Sequence, residues 1–191
     1  MTASYAHVCK TVQVLKDTHA AAIQCRDMNI LCRSLGILLN PQPMGTDGNS
    51  IKGFFLISKR MPVITYNCDL PKVVQSFIIA HEIGHAILHR HLKIKCFRDV
   101  NAFDESDPCE KEANLFAAEL LMEDADVLEK MNEDSTFFGA AAGMNVPAEL
   151  LDFKFRLMKW KGYKMVEPPI CAANSFLKHL DIPENCKDGC P

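Results

Sequence analysis

His81-Glu82-Ile83-Gly84-His85 decides how this chain is read, because H-E-x-x-H on a helix sets two imidazoles one turn apart on the same face. Such a pair can grip one metal ion. Zinc accepts neutral imidazole nitrogens at roughly 2.0 to 2.1 Å, and Glu82 projects where it can take a proton from water that the metal acidifies. The chemistry implied is hydrolysis, most often of a peptide bond. The flanking segments, Val73 to Ala80 and Ala86-Ile87-Leu88, suit a largely buried helix from Pro71 to about His91, with Asp69 and Pro71 marking its start. Polar side chains in so apolar a helix need partners, which favours a site over decoration.

A catalytic zinc usually takes three protein ligands and leaves one position open, so the reading depends on the third. His91 lies at the metzincin spacing. Leu88, however, stands where a glycine turns the chain in that class, and on a continuing helix His91 points away from the face of His81 and His85. The better candidate lies on a second helix, expected from Pro108 to Met122 because Asp107-Pro108 supplies an N-cap and a first-turn proline. There Glu110 can complete a His-His-Glu set, and Asn114, one turn later on the same face, can hydrogen-bond a ligand histidine. Small Ala113 and Ala117 let the two helices approach closely. Glu112 faces elsewhere and reads as a solvated carboxylate, and Glu119 as structural. His89, one turn beyond His85, is a candidate for contacting substrate or an oxyanion, although a packed or capping role is the simpler reading. Tyr66, near the end of a strand, is another oxyanion-donor candidate, with a half-buried strand tyrosine as its alternative.

The stretch from Ala80 to His89, followed by Glu110, Ala113-Asn114 and Phe116-Ala117-Ala118-Glu119-Leu120-Leu121-Met122, resembles the ImmA/IrrE metallopeptidases over roughly Leu31 to Leu157. By that resemblance His81, His85 and Glu110 are ligands of Zn2+, and Glu82 is the catalytic carboxylate. The fold class expected is α+β, zincin-like, with a small antiparallel sheet of about three strands packed against the metal-binding helices. One departure is Glu123, where the family often has a proline. The resemblance further implies a zinc-dependent peptidase acting on a protein substrate, with a transcriptional repressor of a phage, mobile element or stress response as the first expectation. The alternative is a non-proteolytic regulatory protein that holds a repressor or another partner, and the intact Glu82 argues against it. An extended substrate is expected to add to the sheet edge along Val63 to Asn67.

With 191 residues, 48% of them hydrophobic, the chain can bury one good core. Residues 1–167 are expected to form the ImmA/IrrE-like metallopeptidase domain, and 168–191, after the Pro168-Pro169 break, a C-terminal cysteine-containing extension. A net charge of −3 gives no general attraction to phosphate backbones, so direct binding of nucleic acid is not expected. Ala140 to Leu150 has a helix-turn-helix cadence beside Lys154, Arg156, Lys159, Lys161 and Lys164, but a packing hairpin with a solvated basic face is the simpler reading. No apolar run is long enough to span a bilayer and Met1 to Lys16 lacks a signal-peptide pattern, so a cytoplasmic protein without a membrane partner is expected. Nine cysteines, odd in number and scattered, suit free thiols in a reducing compartment. Cys171, Cys186 and Cys190 with His179 make only a weak second zinc pattern. Elsewhere the pattern predicts two helices between Tyr5 and Leu35 and strands at Ile37 to Leu39, Gly53 to Ile57 and Val63 to Asn67. The last two strands pair antiparallel across Ser58 to Pro62. A final helical part from Ser135 to Lys161 is interrupted around Gly143 and Pro147.

Overall fold

Two helix starts position everything that follows. Asp107 adopts extended backbone and its carboxylate accepts from the Cys109 N–H at 2.7 Å, while Pro108 fills the first helical position, where a missing N–H leaves nothing unpaired. The other start follows Pro71, also extended, and is closed by Gln75, whose amide donates to the carbonyls of Leu70 at 2.6 Å and Cys68 at 3.1 Å. The structure is a computed structural model that describes residues 2–47, 50–89, 96–99, 107–133, 136–165 and 167–169.

Along the chain come α1 (Thr2–Thr18), α2 (Ala20–Gln24), α3 (Met28–Ser34), β1 (Leu38–Gln42), β2 (Gly53–Ser58), β3 (Met61–Asn67), α4 (Lys72–Leu88), β4 (Cys96–Asp99), α5 (Pro108–Leu121), α6 (Asp124–Glu133), α7 (Phe137–Gly143) and α8 (Ala148–Trp160). The class is α+β, as the patterning predicts. The N-terminal stretch divides into three helices rather than two, because Arg26 takes a left-handed φ of 51° and Asp27 then caps a new helix by accepting from the Asn29 N–H. An additional helix, α6, fills the interval before α7, opening with Asp124 and Asp126 at its positive end. The break between α7 and α8 falls at Gly143 and Pro147 as expected.

β2 and β3 form the expected antiparallel hairpin, but through a tighter turn. Only Lys59 and Arg60 separate the strands, and φ values of 48° and 71° give the mirror-image turn that matches strand twist. Pro62 is tolerated inside β3 because β1 begins pairing only at Val63. The sheet has four strands in the order β1-β3-β2-β4, with β4 antiparallel to β2 and β1 parallel to β3. The wholly antiparallel expectation therefore needs correction at β1. The connection from β1 to β2 spans about ten residues, enough for the chain to return and leave a gap that β3 then fills. Asn67 anchors that connection: its amide donates to the carbonyls of Gly45 at 2.7 Å and Ile51 at 3.2 Å, while its oxygen accepts from the N–H groups of Met44 and Asp69.

The insertion of β3 also removes the substrate edge expected along Val63 to Asn67, since β1 lies on one side of it and β2 on the other. The sheet packs on α4, α4 packs on α5, and α1 and α8 cover the far side of α5. Phe77, Ile78, Ile83, Leu115, Phe116, Phe153 and Phe155 fill the layers between them. Where α4 crosses α5 a Cβ on Gly84 would lie 3.2 Å from both Ala113 Cα and Phe116 Cδ1, so the close approach requires glycine on one helix and alanine on the other.

Of the basic residues after Pro147, Lys164 is exposed and Lys159 partly so, but Lys154, Arg156 and Lys161 do not form the solvated face expected. Lys154 is fully buried and pairs with Glu119 at 2.7 Å and Asp124 at 2.6 Å, Lys161 pairs with the same two carboxylates, and Arg156 pairs with Asp152. Glu119 is thus structural, as read. Cys9, Cys25, Cys32 and Cys109 are free thiols, whereas Cys68 is disulfide-bonded, which corrects the all-thiol expectation there. An odd, scattered count says nothing about which sulfurs folding brings together. Among the described residues no helix is long and apolar enough to cross a membrane. Cys171, His179, Cys186, Cys190 and His91 lie outside the described residues.

Candidate metal centre

The second half of α4 carries His81, Glu82 and His85, each with no exposed surface. Spacing of four residues stacks the two imidazoles with ring centroids 4.7 Å apart and their Nε2 atoms 3.0 Å apart. From the first turn of α5, Glu110 Oε2 reaches to 3.1 Å from His81 Nε2 and 3.4 Å from His85 Nε2. The three donor atoms lie within 4.8 Å of one another and can hold a metal ion. The fit can be tested on the donors themselves. A tetrahedral ion with bonds of about 2.0 to 2.1 Å needs ligand atoms about 3.3 to 3.4 Å apart, close to the spacing present, and two imidazoles with one carboxylate leave one position open.

The electrostatics suit a cation. Burial holds the His85 imidazole down at about 4, with the Glu110 carboxylate offsetting this only in part, so the ring stays neutral and its lone pair available. Burial alone would raise the Glu110 carboxyl. Hydrogen bonds and charge from His81 and His85 outweigh it and keep the carboxyl well below the usual range.

Each imidazole is held through its other nitrogen. Asn114, buried on α5 one turn after Glu110, places Oδ1 2.9 Å from His81 Nδ1, as its spacing predicts. His89, which caps the C-terminal end of α4, places Nδ1 3.0 Å from His85 Nδ1 and Nε2 3.1 Å from Glu112 Oε2. Glu112 is therefore not the free solvated carboxylate expected; its other oxygen accepts from Ser4 Oγ at 2.8 Å. The recurrence of His81, His85 and His89 at intervals of four was the signal available for His89. Nothing local pointed to Ser4. Tyr66 is half-buried on β3, where its ring packs against the core and burial raises its hydroxyl. Its cross-strand neighbour Gly53 lies beside the site, since a Cβ there would lie 2.5 Å from Ile78 Cγ2 and 3.4 Å from Glu82 Oε1. The bare backbone of β2 can thus pass directly beside Glu82.

Comparison with known proteins gives the family. The model of the peptidase family described as the IrrE N-terminal-like domain matches residues 32–156, a span that includes the sheet, α4, α5 and most of α8. The "Uncharacterized immunity region protein 2" of Bacillus phage phi105 is 36% identical over 106 residues, covering 56% of this chain and 66% of its own length. "Metallopeptidase ImmA" of Bacillus subtilis (strain 168) is 39% identical over 83 residues, covering 42% of this chain and 48% of its own length. The matched part thus spans less than two thirds of either relative. On the family match, which takes in well over half of its residues, the chain belongs to the ImmA/IrrE peptidase family.

Proposed function

We propose that the chain is a zinc-dependent peptidase that hydrolyses a protein substrate, and that this substrate is a transcriptional repressor of a phage, mobile element or stress response. The observation that carries the reading is the convergence of His81, His85 and Glu110 beside the buried Glu82. In this reading His81 and His85 on α4 and Glu110 on α5 hold the ion. A bound zinc ion polarises a scissile carbonyl and acidifies water. Glu82 takes the proton from that water as it attacks the carbonyl carbon, and returns it to the amine nitrogen as the peptide C–N bond breaks. Asn114 and His89 hold the two rings in place through Nδ1.

The expected binding edge at Val63 to Asn67 is occupied, so an extended substrate is assigned instead to the outer strand β4. Its Asp99 pairs with Gly53, the residue beside Glu82, which brings that strand close to the reacting groups. The repressor assignment draws support from the immunity-region and ImmA names of the relatives. A cytoplasmic setting goes with such a substrate.

The test is to incubate the zinc-loaded protein and its Glu82→Gln form with repressors encoded beside its gene. One defined cut by the unaltered protein, slowed about a hundredfold or more by the substitution, is expected. Cleavage at full rate by Glu82→Gln would remove Glu82 from the mechanism, and binding of a repressor without any cut would favour a non-proteolytic regulator.

A further inference from the structure

The two imidazoles of the metal centre are held in different ways. His81 meets an amide oxygen, that of Asn114, and the link ends there. His85 meets a second imidazole, His89, which meets the Glu112 carboxylate, which in turn accepts from Ser4 on α1. The protons along this path are not free to choose their places. For His85 Nε2 to offer a lone pair to a metal, the ring proton must sit on Nδ1 and donate to His89 Nδ1. His89 must then carry its own proton on Nε2, where it donates to Glu112. One arrangement therefore satisfies every link, and the carboxylate at the far end favours it. Both rings are almost wholly buried, at 0% and 3% exposure, which limits competition from solvent for the same nitrogens.

We propose that His89 and Glu112 are positioning residues of the metal centre. Through His89 the Glu112 carboxylate fixes the His85 ring in its ligating tautomer, and Ser4 fastens α1 to the same path. The proposal rests on the metal-site reading above. It also gives α1 a role at the site, although Ser4 lies outside the residues 32–156 that the family model matches. Ser4 and Glu112 are 108 positions apart, and α1 packs along α5 to bring them together.

The test compares the full chain with His89→Leu, His89→Gln, Glu112→Ala and Ser4→Ala. Zinc affinity is read by competition with a chromophoric chelator, the ligand field by the visible spectrum of the cobalt-substituted protein, and folding by the thermal midpoint of the metal-free form. His89→Leu is expected to lower zinc affinity about 10- to 100-fold and to shift the cobalt bands. Glu112→Ala is expected to lower it about tenfold, with Ser4→Ala a smaller loss in the same direction. His89→Gln is expected to recover part of the affinity, because its carbonyl can accept from His85 Nδ1. If His89→Leu does not fold, Glu112→Ala decides, since that side chain is 27% exposed and its loss leaves little cavity. Affinities within about twofold of the unaltered protein, with unchanged cobalt bands, would overturn the positioning role while leaving the metal site intact. Failure of the unaltered protein to bind either metal would overturn the site itself and the positioning role with it.

Discussion

Gly84 shows how much a single residue can decide here. It lies between the two histidines, and its missing side chain lets α4 settle on the backbone of α5, so that Glu110 reaches the imidazoles. In Gly84→Ala the new Cβ would press on Ala113 Cα, a main-chain atom that cannot rotate away. A loss of about 1 to 3 kcal/mol by urea denaturation is expected, together with weaker metal binding as the helices separate. An unchanged midpoint and affinity would mean that the crossing has room to spare. The shared face of His81 and His85 on α4, and that of Glu110 and Asn114 on α5, were legible in the sequence, because a spacing of four on a helix suffices to align each pair. Glu112 was not. Its partners are a histidine on another helix and a serine 108 positions away, and no local periodicity carries that information.

At the scale of elements, the caps and breakers in the chain mark most of the boundaries. Asp107-Pro108 starts α5, Pro71 precedes α4, and Pro147 separates α7 from α8. Strand direction was harder to read, since β1 becomes parallel to β3 only through the path of a long connection, and β4 lies in a stretch whose polar letters suggest a loop. The charges of α8 mislead for a related reason: whether a lysine is solvated depends on what packs over it. Lys154 joins α8 to α5 and to the start of α6 through Glu119 and Asp124. Lys154→Met would leave the buried Glu119 and the partly exposed Asp124 sharing Lys161 alone, and a loss of about 3 kcal/mol in urea denaturation is expected, without loss of metal binding. Stability equal to that of the unaltered chain would show that Lys161 suffices for both carboxylates.

For the molecule as a whole, the buried centre makes stability depend on pH. His85 in the folded chain titrates at about 4, below its ordinary value of 6.5, so between these limits the unfolded chain holds a proton that the folded chain does not. Stability from this group is fully present above pH 6.5 and is lost as pH falls toward 4, by up to about 3 kcal/mol. Glu110, held low, and the paired Glu112 and Asp124 add their losses only below the ordinary carboxylate range, so the two contributions separate along the pH axis. Thermal midpoints of the metal-free protein are expected to begin falling near pH 6.5. A flat profile down to about pH 4.5 would show that His85 takes up a proton as easily in the folded chain as in the unfolded one.

Native mass spectrometry of the zinc-loaded chain tests the three-ligand centre most directly. One zinc ion per molecule is expected in the unaltered protein and in Glu82→Gln, and none at the same zinc concentration in His81→Ala, His85→Ala or Glu110→Ala. Retention of zinc by Glu110→Ala as tightly as by the unaltered protein would contradict the His81, His85 and Glu110 centre.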